Sequence, residues 1–273
     1  MRIRIVDAFT DRPFAGNPAG VLLLDSGGFP DDPWLQNVAE EVNLSETAFA
    51  HPLPAGGGAD WALRWFTPAA EVDMCGHATL ATAHVLHTTG ACGGTVRFSA
   101  RCGILTATAN DDATVTLDFP TSPLTPVPVP DGVAKALGAE VLSAHETGPH
   151  VGDLLVELTG ERTVRSLAPD LAALVSHSER GIIVTAPAED PSAGYDYVSR
   201  CFFPRLGIDE DPVTGSAHTA LAPFWSARQG RDDLTGLQAS ARSGLVRTAL
   251  RGERTLLTGG AVTVIDGQLL TMP

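Results

Sequence analysis

The chain is short of the features that mark several large functional classes. Its four cysteines, Cys75, Cys92, Cys102 and Cys201, form no C-x-x-C pair. That argues against a disulfide framework and a thiolate zinc site, and makes a reduced cytoplasmic setting the expectation. No apolar run reaches membrane-spanning length. Met1–Gly16 carries Arg2, Arg4, Asp7, Asp11 and Arg12 where a targeting signal would need an apolar centre, so no membrane role is expected. Positive charge is scarce: 18 Lys and Arg stand against 32 Asp and Glu, for a net charge of −14. Neutralising a nucleic-acid backbone needs a basic face, so nucleic acid is not an expected partner. A small anion held at a local site is compatible with the same balance.

Charge of either sign is missing from two stretches. Met74–Val96 and Pro212–Ala227 contain no Asp, Glu, Lys or Arg. The first opens M-C-G-H-A-T-L-A and the second P-V-T-G-S-A-H-T-A. A helix without a charged face is buried on all sides, and small residues such as Ala78, Ala81 and Ala83 let other backbone come close. Each stretch follows acidic residues and begins with Gly, a polar residue and Ala. The repetition predicts a duplicated unit with one buried helix per half, and two helix N-termini that could converge on one anion.

With 273 residues, 44% of them hydrophobic, two domains are expected. Arg2–Phe9 alternates as a strand, Thr10–Ala19 reads as a loop and Gly20–Leu24 as a strand. Pro33–Val42 has helical spacing, with Asp31 or Asp32 as cap. Extended runs follow at Leu44–Ala50 and Ala62–Phe66. Beyond the first charge-free helix come Thr95–Ala100, Gly103–Ala109 and Ala113–Phe119. Pro120–Pro130 holds five prolines in eleven residues and reads as a semi-rigid linker. It sets the expected boundary between domains 1–119 and 120–273. The second half repeats the mix, with strands at Gly152–Leu158, Gly181–Ala186 and Tyr195–Phe203 and a helix at Pro169–Val175 with Asp170 in its first turn. A meander covers Leu245–Leu270, with a hairpin expected at Asp266-Gly267. Gln268–Met272 reads as a strand that could return to complete the first sheet. Pro223 should kink or end the second buried helix. The predicted class is α+β: two similar domains, each a mostly antiparallel sheet curled around its own helix, facing each other across a cleft.

Several residues could carry chemistry. Glu46, in N-L-S-E-T-A-F, has the ordinary role of a solvated edge carboxylate by spacing alone. Its apolar neighbours Leu44, Ala48 and Phe49 also suit a carboxyl that shuttles protons near neutrality. His77, after Gly76 at a helix start, reads equally as a terminal polar residue and as a proton carrier beside the helix dipole. Asp211 and Ser216 flank Gly215. They read as caps, and equally as a place where a ligand carboxylate meets the amides of Ser216 and Ala217. Cys75 precedes a helix N-terminus, which lowers a thiol pKa, although a buried small hydrophobe is its common role. Asn17, before Pro18, is a turn residue that could present an amide to a ligand.

Five segments taken together, F-A-G-N-P-A-G-V (14–21), N-L-S-E-T-A-F (43–49), R-W-F-T-P (64–68), V-D-M-C-G-H-A-T-L-A-T-A (72–83) and G-I-D-E-D-P-V-T-G-S-A-H-T-A-L-A (207–222), resemble the PhzF-like phenazine biosynthesis family of the diaminopimelate epimerase-like superfamily. The resemblance implies two similar domains with a site between them, a homodimer, and no metal or organic cofactor. It implies an isomerase acting on a small carboxylate-bearing substrate. In the phenazine enzyme of the family the glutamate of this motif moves a proton during isomerisation of a dihydro-hydroxyanthranilate, and here that residue is Glu46. The other site positions fall on His77, Asp211 and Ser216, with Gly76 and Gly215 opening the helix ends that hold the substrate carboxylate. The superfamily's epimerases use one cysteine from each half, whereas this chain offers Cys75 and Thr214. Two-base epimerisation is therefore disfavoured and one-base proton transfer through Glu46 remains. The alternatives are a racemase or epimerase working through Cys75 alone, and a family member that binds a metabolite or protein without catalysis.

Overall fold

The protein is α+β, and the computed structural model describes residues 1–25 and 27–273. The chain opens with β1 (Arg2–Ala8), β2 (Asn17–Leu23), α1 (Asp32–Val42), β3 (Glu46–Pro52), β4 (Trp61–Phe66), β5 (Glu71–Val72) and α2 (Gly76–Thr88). It continues through β6 (Thr95–Ala100), β7 (Gly103–Ala109), β8 (Val115–Pro120), β9 (Thr125–Val127), α3 (Val133–Leu137), β10 (Val141–Glu146), α4 (Gly148–Val151) and β11 (Leu154–Leu158). Then come α5 (Glu161–Ser166), α6 (Leu171–Leu174), β12 (Ile182–Pro187), β13 (Tyr197–Phe203), β14 (Ile208–Asp211) and α7 (Gly215–Gln229). The last strands are β15 (Asp233–Gln238), β16 (Gly244–Arg251), β17 (Arg254–Gly259) and β18 (Ala261–Gln268). No helix among the described residues is long and apolar enough to cross a membrane.

The chain divides into two compact units, Met1–Asp118 with Thr258–Pro273, and Phe119–Leu257. The final segment belongs with the first unit because β18 pairs antiparallel with β1 along its length, from Ala8↔Ala261 to Arg2↔Gln268. The returning strand is thus 261–268, not Gln268–Met272. Asp266 and Gly267 lie inside it, opposite Arg4 and Ile3, so the expected hairpin does not form there: cross-strand pairing overrides the local turn signal. The proline segment also takes part in structure, since Thr125–Val127 pairs with β10.

Each unit is built on one plan. In the first, β1 is antiparallel to β2, β2 parallel to β3, and β3 antiparallel to β4. Short β5 folds back on one end of β4, the helix α2 follows, and β6 returns parallel to the other end of β4 before the β6–β7 hairpin. In the second, β10, β11, β12, β13, β14, α7, β15 and β16 repeat those steps and directions. The parallel start Trp61↔Phe98 matches Tyr197↔Gly236. Phe66 and Phe202 then correspond, each five residues further on, and so do their partners Thr47 and Ile182. The place of Glu46 is therefore taken in the second unit by Gly181.

The charge-free helices are buried as their composition requires. In α2 ten of thirteen residues are buried, and in α7 eleven of fifteen. Leu80 and Leu86 of α2 are fully buried, each worth roughly 1.5–3 kcal/mol. Trp225 Nε1 donates to Thr185 Oγ1 at 2.9 Å, and the Tyr197 hydroxyl meets His218 Nδ1 at 2.9 Å. Pro223 does not end α7, which runs on to Gln229. A proline leaves the carbonyl four residues earlier without its helical donor. That carbonyl, on Thr219, accepts from the Ser122 amide at 3.2 Å.

Candidate active site

Glu46 is delivered by a sharp change of direction. Helix α1 starts at Asp31, whose carboxylate accepts from the Trp34 amide at 2.9 Å, and stops at Asn43 in the left-handed conformation with φ 51°. Asn tolerates that region better than most residues. Three residues later Glu46 opens β3 beside Ala19 of β2. Its side chain is 15% exposed, so the carboxylate is neither fully solvated nor sealed away.

Helix α2 brings His77 to the same place. Glu46 Oε2 lies 3.3 Å from His77 Nε2, an ion-pair distance without hydrogen-bond alignment. His77 Nδ1 lies 3.5 Å from Cys75 Sγ. Burial pushes His77 down to about 3. The nearby carboxylate favours imidazolium, but complete desolvation outweighs it, and the ring is neutral at pH 7. Cys75 is the residue before the helix and makes no side-chain capping bond; the amides of the first turn lack intrahelical acceptors. The site can therefore take up a proton at a half-buried carboxylate beside a neutral imidazole, and present helix amides to an anion. Glu46, Cys75 and His77 each offer one ligand atom, all within 4.8 Å of one another. Asn17 is the fully buried first residue of β2.

The second unit builds its own helix opening. Asp211 ends β14 and accepts from the Thr214 hydroxyl at 2.5 Å. Thr214, the residue before α7, makes no side-chain capping bond to the helix. Gly215 and Ser216 open it, and the Ser216 hydroxyl accepts from Arg180 Nη2 at 3.3 Å.

Three residues around this opening carry no sequence motif. Gln238 of β15 is fully buried. Its Oε1 accepts from the Thr214 amide at 2.8 Å, and its Nε2 donates to the Asp211 carbonyl at 2.7 Å. Arg180 Nη1 also donates to Asp153 Oδ2 at 2.6 Å, and Asp153 is buried outright. Burial pushes the Asp153 carboxyl up to about 6, outweighing the guanidinium beside it. A lone Asp in V-G-D-L-L and an Arg in S-E-R-G have no spacing that links them. The one available signal was a charge at the edge of each apolar run.

Comparison with known proteins gives one consistent answer. Residues 6–267 match the model of a family described as phenazine biosynthesis-like protein. The chain is 46% identical over 268 residues to an uncharacterized isomerase of Pseudomonas aeruginosa, covering 97% of this chain and 96% of that one. It superposes on the crystal structure of a PhzF-family phenazine biosynthesis protein from Enterococcus faecalis with TM-score 0.89 at 38% identity, covering 99% of each chain. A predicted epimerase from Pseudomonas aeruginosa shares the fold at TM-score 0.72 and 20% identity, covering 99% of each chain. The fold is the diaminopimelate epimerase-like one, with a sheet rolled around a buried helix in each unit.

Proposed function

The chain belongs to the phenazine biosynthesis-like protein family, and from that premise we propose that it is an isomerase that shifts a proton on a small carboxylate-bearing substrate through Glu46. The observation that carries the reading is the placement of a half-buried carboxylate 3.3 Å from a buried imidazole at the opening of α2. Glu46 removes a proton from carbon, becomes a carboxylic acid, and returns that proton at a nearby carbon as the double bond moves. His77 stands beside the carboxylate as a second proton-handling group, and Asp211 is assigned a proton-handling role at the opening of α7. Each unit offers a helix opening suited to a substrate carboxylate, at Gly76 in α2 and at Gly215 and Ser216 in α7. Asn17 holds a polar group of the substrate. The reaction changes no oxidation state, so the proposal calls for no metal or organic cofactor. We assign the protein to the cytoplasm as a homodimer, which light scattering would check.

Two features support a single base. The second unit has Gly181 in the place of Glu46, where a Cβ would lie 2.1 Å from Phe203 Cδ1. Thr214 in turn occupies the position that Cys75 has before α2.

A second reading is favoured by the 3.5 Å approach of Cys75 Sγ to His77: a racemase or epimerase using that thiol as its base. Both readings are tested by solvent-deuterium uptake into a panel of dihydro-hydroxyanthranilate and small amino and hydroxy acids. The proposal expects uptake by the wild type, none by Glu46→Gln, and retention by Cys75→Ser. Uptake that survives Glu46→Gln and vanishes in Cys75→Ser would transfer the assignment to the thiol.

A further inference from the structure

The trio Glu46, Cys75 and His77 offers a carboxylate, a thiol and an imidazole, the three donor types that together suit a thiophilic divalent cation. One ligand atom from each lies within 4.8 Å of the other two. A tetrahedral zinc ion with ordinary bond lengths needs ligand atoms about 3.3–3.6 Å apart. Cys75 Sγ and His77 Nδ1 already stand at 3.5 Å. Glu46 Oε2 stands 3.3 Å from the ring's other nitrogen, Nε2, so its side chain, 15% exposed, would have to swing toward Nδ1 to complete the set. Cys75 and His77 are 6% and 5% exposed, so the metal would sit against a dry wall and meet solvent on the Glu46 side. His77 Nε2 makes no hydrogen bond, so a cation bound at that nitrogen displaces none. A carboxylate and a thiolate together balance a double positive charge.

We propose that Glu46, Cys75 and His77 form an inhibitory site for a zinc-class divalent cation, which occupies the proton-transfer carboxylate and shuts the reaction off. On binding, the Cys75 S–H bond breaks, its proton passes to solvent, and the sulfur lone pair forms the bond to the metal; no electron is transferred. The fourth coordination position stays open to water. Hard cations such as Mg2+ do not compete, since they prefer all-oxygen ligands. Inhibition rests on the isomerase reading above; binding does not.

The test uses Cd2+ as a spectroscopic stand-in, with the whole protein and no substrate. Titration should produce a thiolate-to-metal charge-transfer band that saturates at one equivalent. Zn2+ should displace the Cd2+, Mg2+ should not, and unbuffered solution should acidify as the band grows. The band should vanish in Cys75→Ser and persist in the Cys92→Ser/Cys102→Ser double variant. Glu46→Gln and His77→Gln should each weaken binding by at least about 10–100-fold, the loss typical for removing even an outer partner of a metal ligand. Cys75→Ala serves if Cys75→Ser fails to fold, judged by thermal unfolding without metal. Absence of a saturable band in the wild type would overturn the proposal. So would a band that survives loss of Cys75, or one that disappears with Cys92 and Cys102. These readouts need no turnover, so their failure leaves the isomerase reading standing, and failure of the deuterium test leaves the metal site standing.

Discussion

Glu46 and His77 come from different elements and meet at 3.3 Å, Oε2 to Nε2, with the imidazole buried and the carboxylate half-open. The asymmetry suits a base that must exchange protons with a ligand beside a neutral neighbour. Removing the carboxylate's ability to accept a proton should therefore leave the fold alone. Glu46→Gln is expected to lower kcat by about 10²–10⁴-fold, the usual share of a positioned acid or base, with an unchanged denaturation midpoint. Steady-state kinetics and urea unfolding on the same preparation check both halves.

Cys75→Ser should keep most of the activity, because the thiol is assigned no proton in the reaction. His77→Gln should lower kcat less than Glu46→Gln does, since the proposal makes Glu46 the base and His77 only its neighbour. A kinetic comparison of the three variants orders the roles. Cys75→Ser falling as far as Glu46→Gln would refute the order.

Gln238 fastens the start of α7 from β15. Gln238→Ala strands the Thr214 amide, which is bonded to Oε1 at 2.8 Å, and the cost of an orphaned buried donor is about 1–3 kcal/mol. We expect a loss at the upper end, since the Asp211 carbonyl loses its donor as well. Equilibrium urea unfolding measures it, and a loss near zero would mean the opening is held by other contacts.

Gly181 has no room for a side chain. A Cβ there would stand 2.1 Å from Phe203 Cδ1 and 2.8 Å from the Phe202 carbonyl oxygen. Gly181→Ala should destabilise by about 3 kcal/mol, the top of the range for overpacking. Gly194→Ala meets nothing within 4 Å and separates crowding from other effects: its φ of 84° brings backbone strain alone. A thermal melt of both variants distinguishes the two.

Asp153 makes stability depend on pH. Its folded-state pKa, about 6, lies above the ordinary 3.8, so the folded protein holds the proton more tightly than the unfolded chain does. The contribution is complete below the unfolded value and is lost as pH rises through about 6. The full shift corresponds to about 3 kcal/mol, of which about 2 kcal/mol is lost between pH 4 and pH 7. Asp153→Asn removes the titration. The stability of the wild type minus that of the variant should therefore fall by that amount across the interval, read by urea unfolding at several pH values. A flat difference would show that Arg180, 2.6 Å away, keeps the carboxylate charged throughout.

Much of this architecture was legible in the amino-acid order because burial leaves a compositional mark. Met74–Val96 and Pro212–Ala227 lack charge, and a helix without a polar face has no stable place except inside. That alone marked the two units and the Gly-polar-Ala openings of α2 and α7. The Asn43–Glu46 turn was legible in part: the sequence showed a helix giving way to an extended run, though not the left-handed Asn43 that makes the change so short. Local turn chemistry misled at Asp266-Gly267, where pairing with β1 outweighs a hairpin preference; at Pro223 the helix does not end early, and Ser122 takes up the freed carbonyl.

The sequence by itself determined which segments must be buried and that the chain repeats one plan, and its resemblance to a known family proposed Glu46, His77, Asp211 and Ser216 as site residues. Only the tertiary structure decided that β18 leaves the second unit for β1, and that Cys75, His77 and Glu46 share one small volume. It alone attached Gln238 to the start of α7 and Arg180 to Ser216. The reason is physical. Burial is a property of each segment's own composition, whereas contacts between residues far apart in sequence depend on strand register, which is settled only when the whole sheet closes.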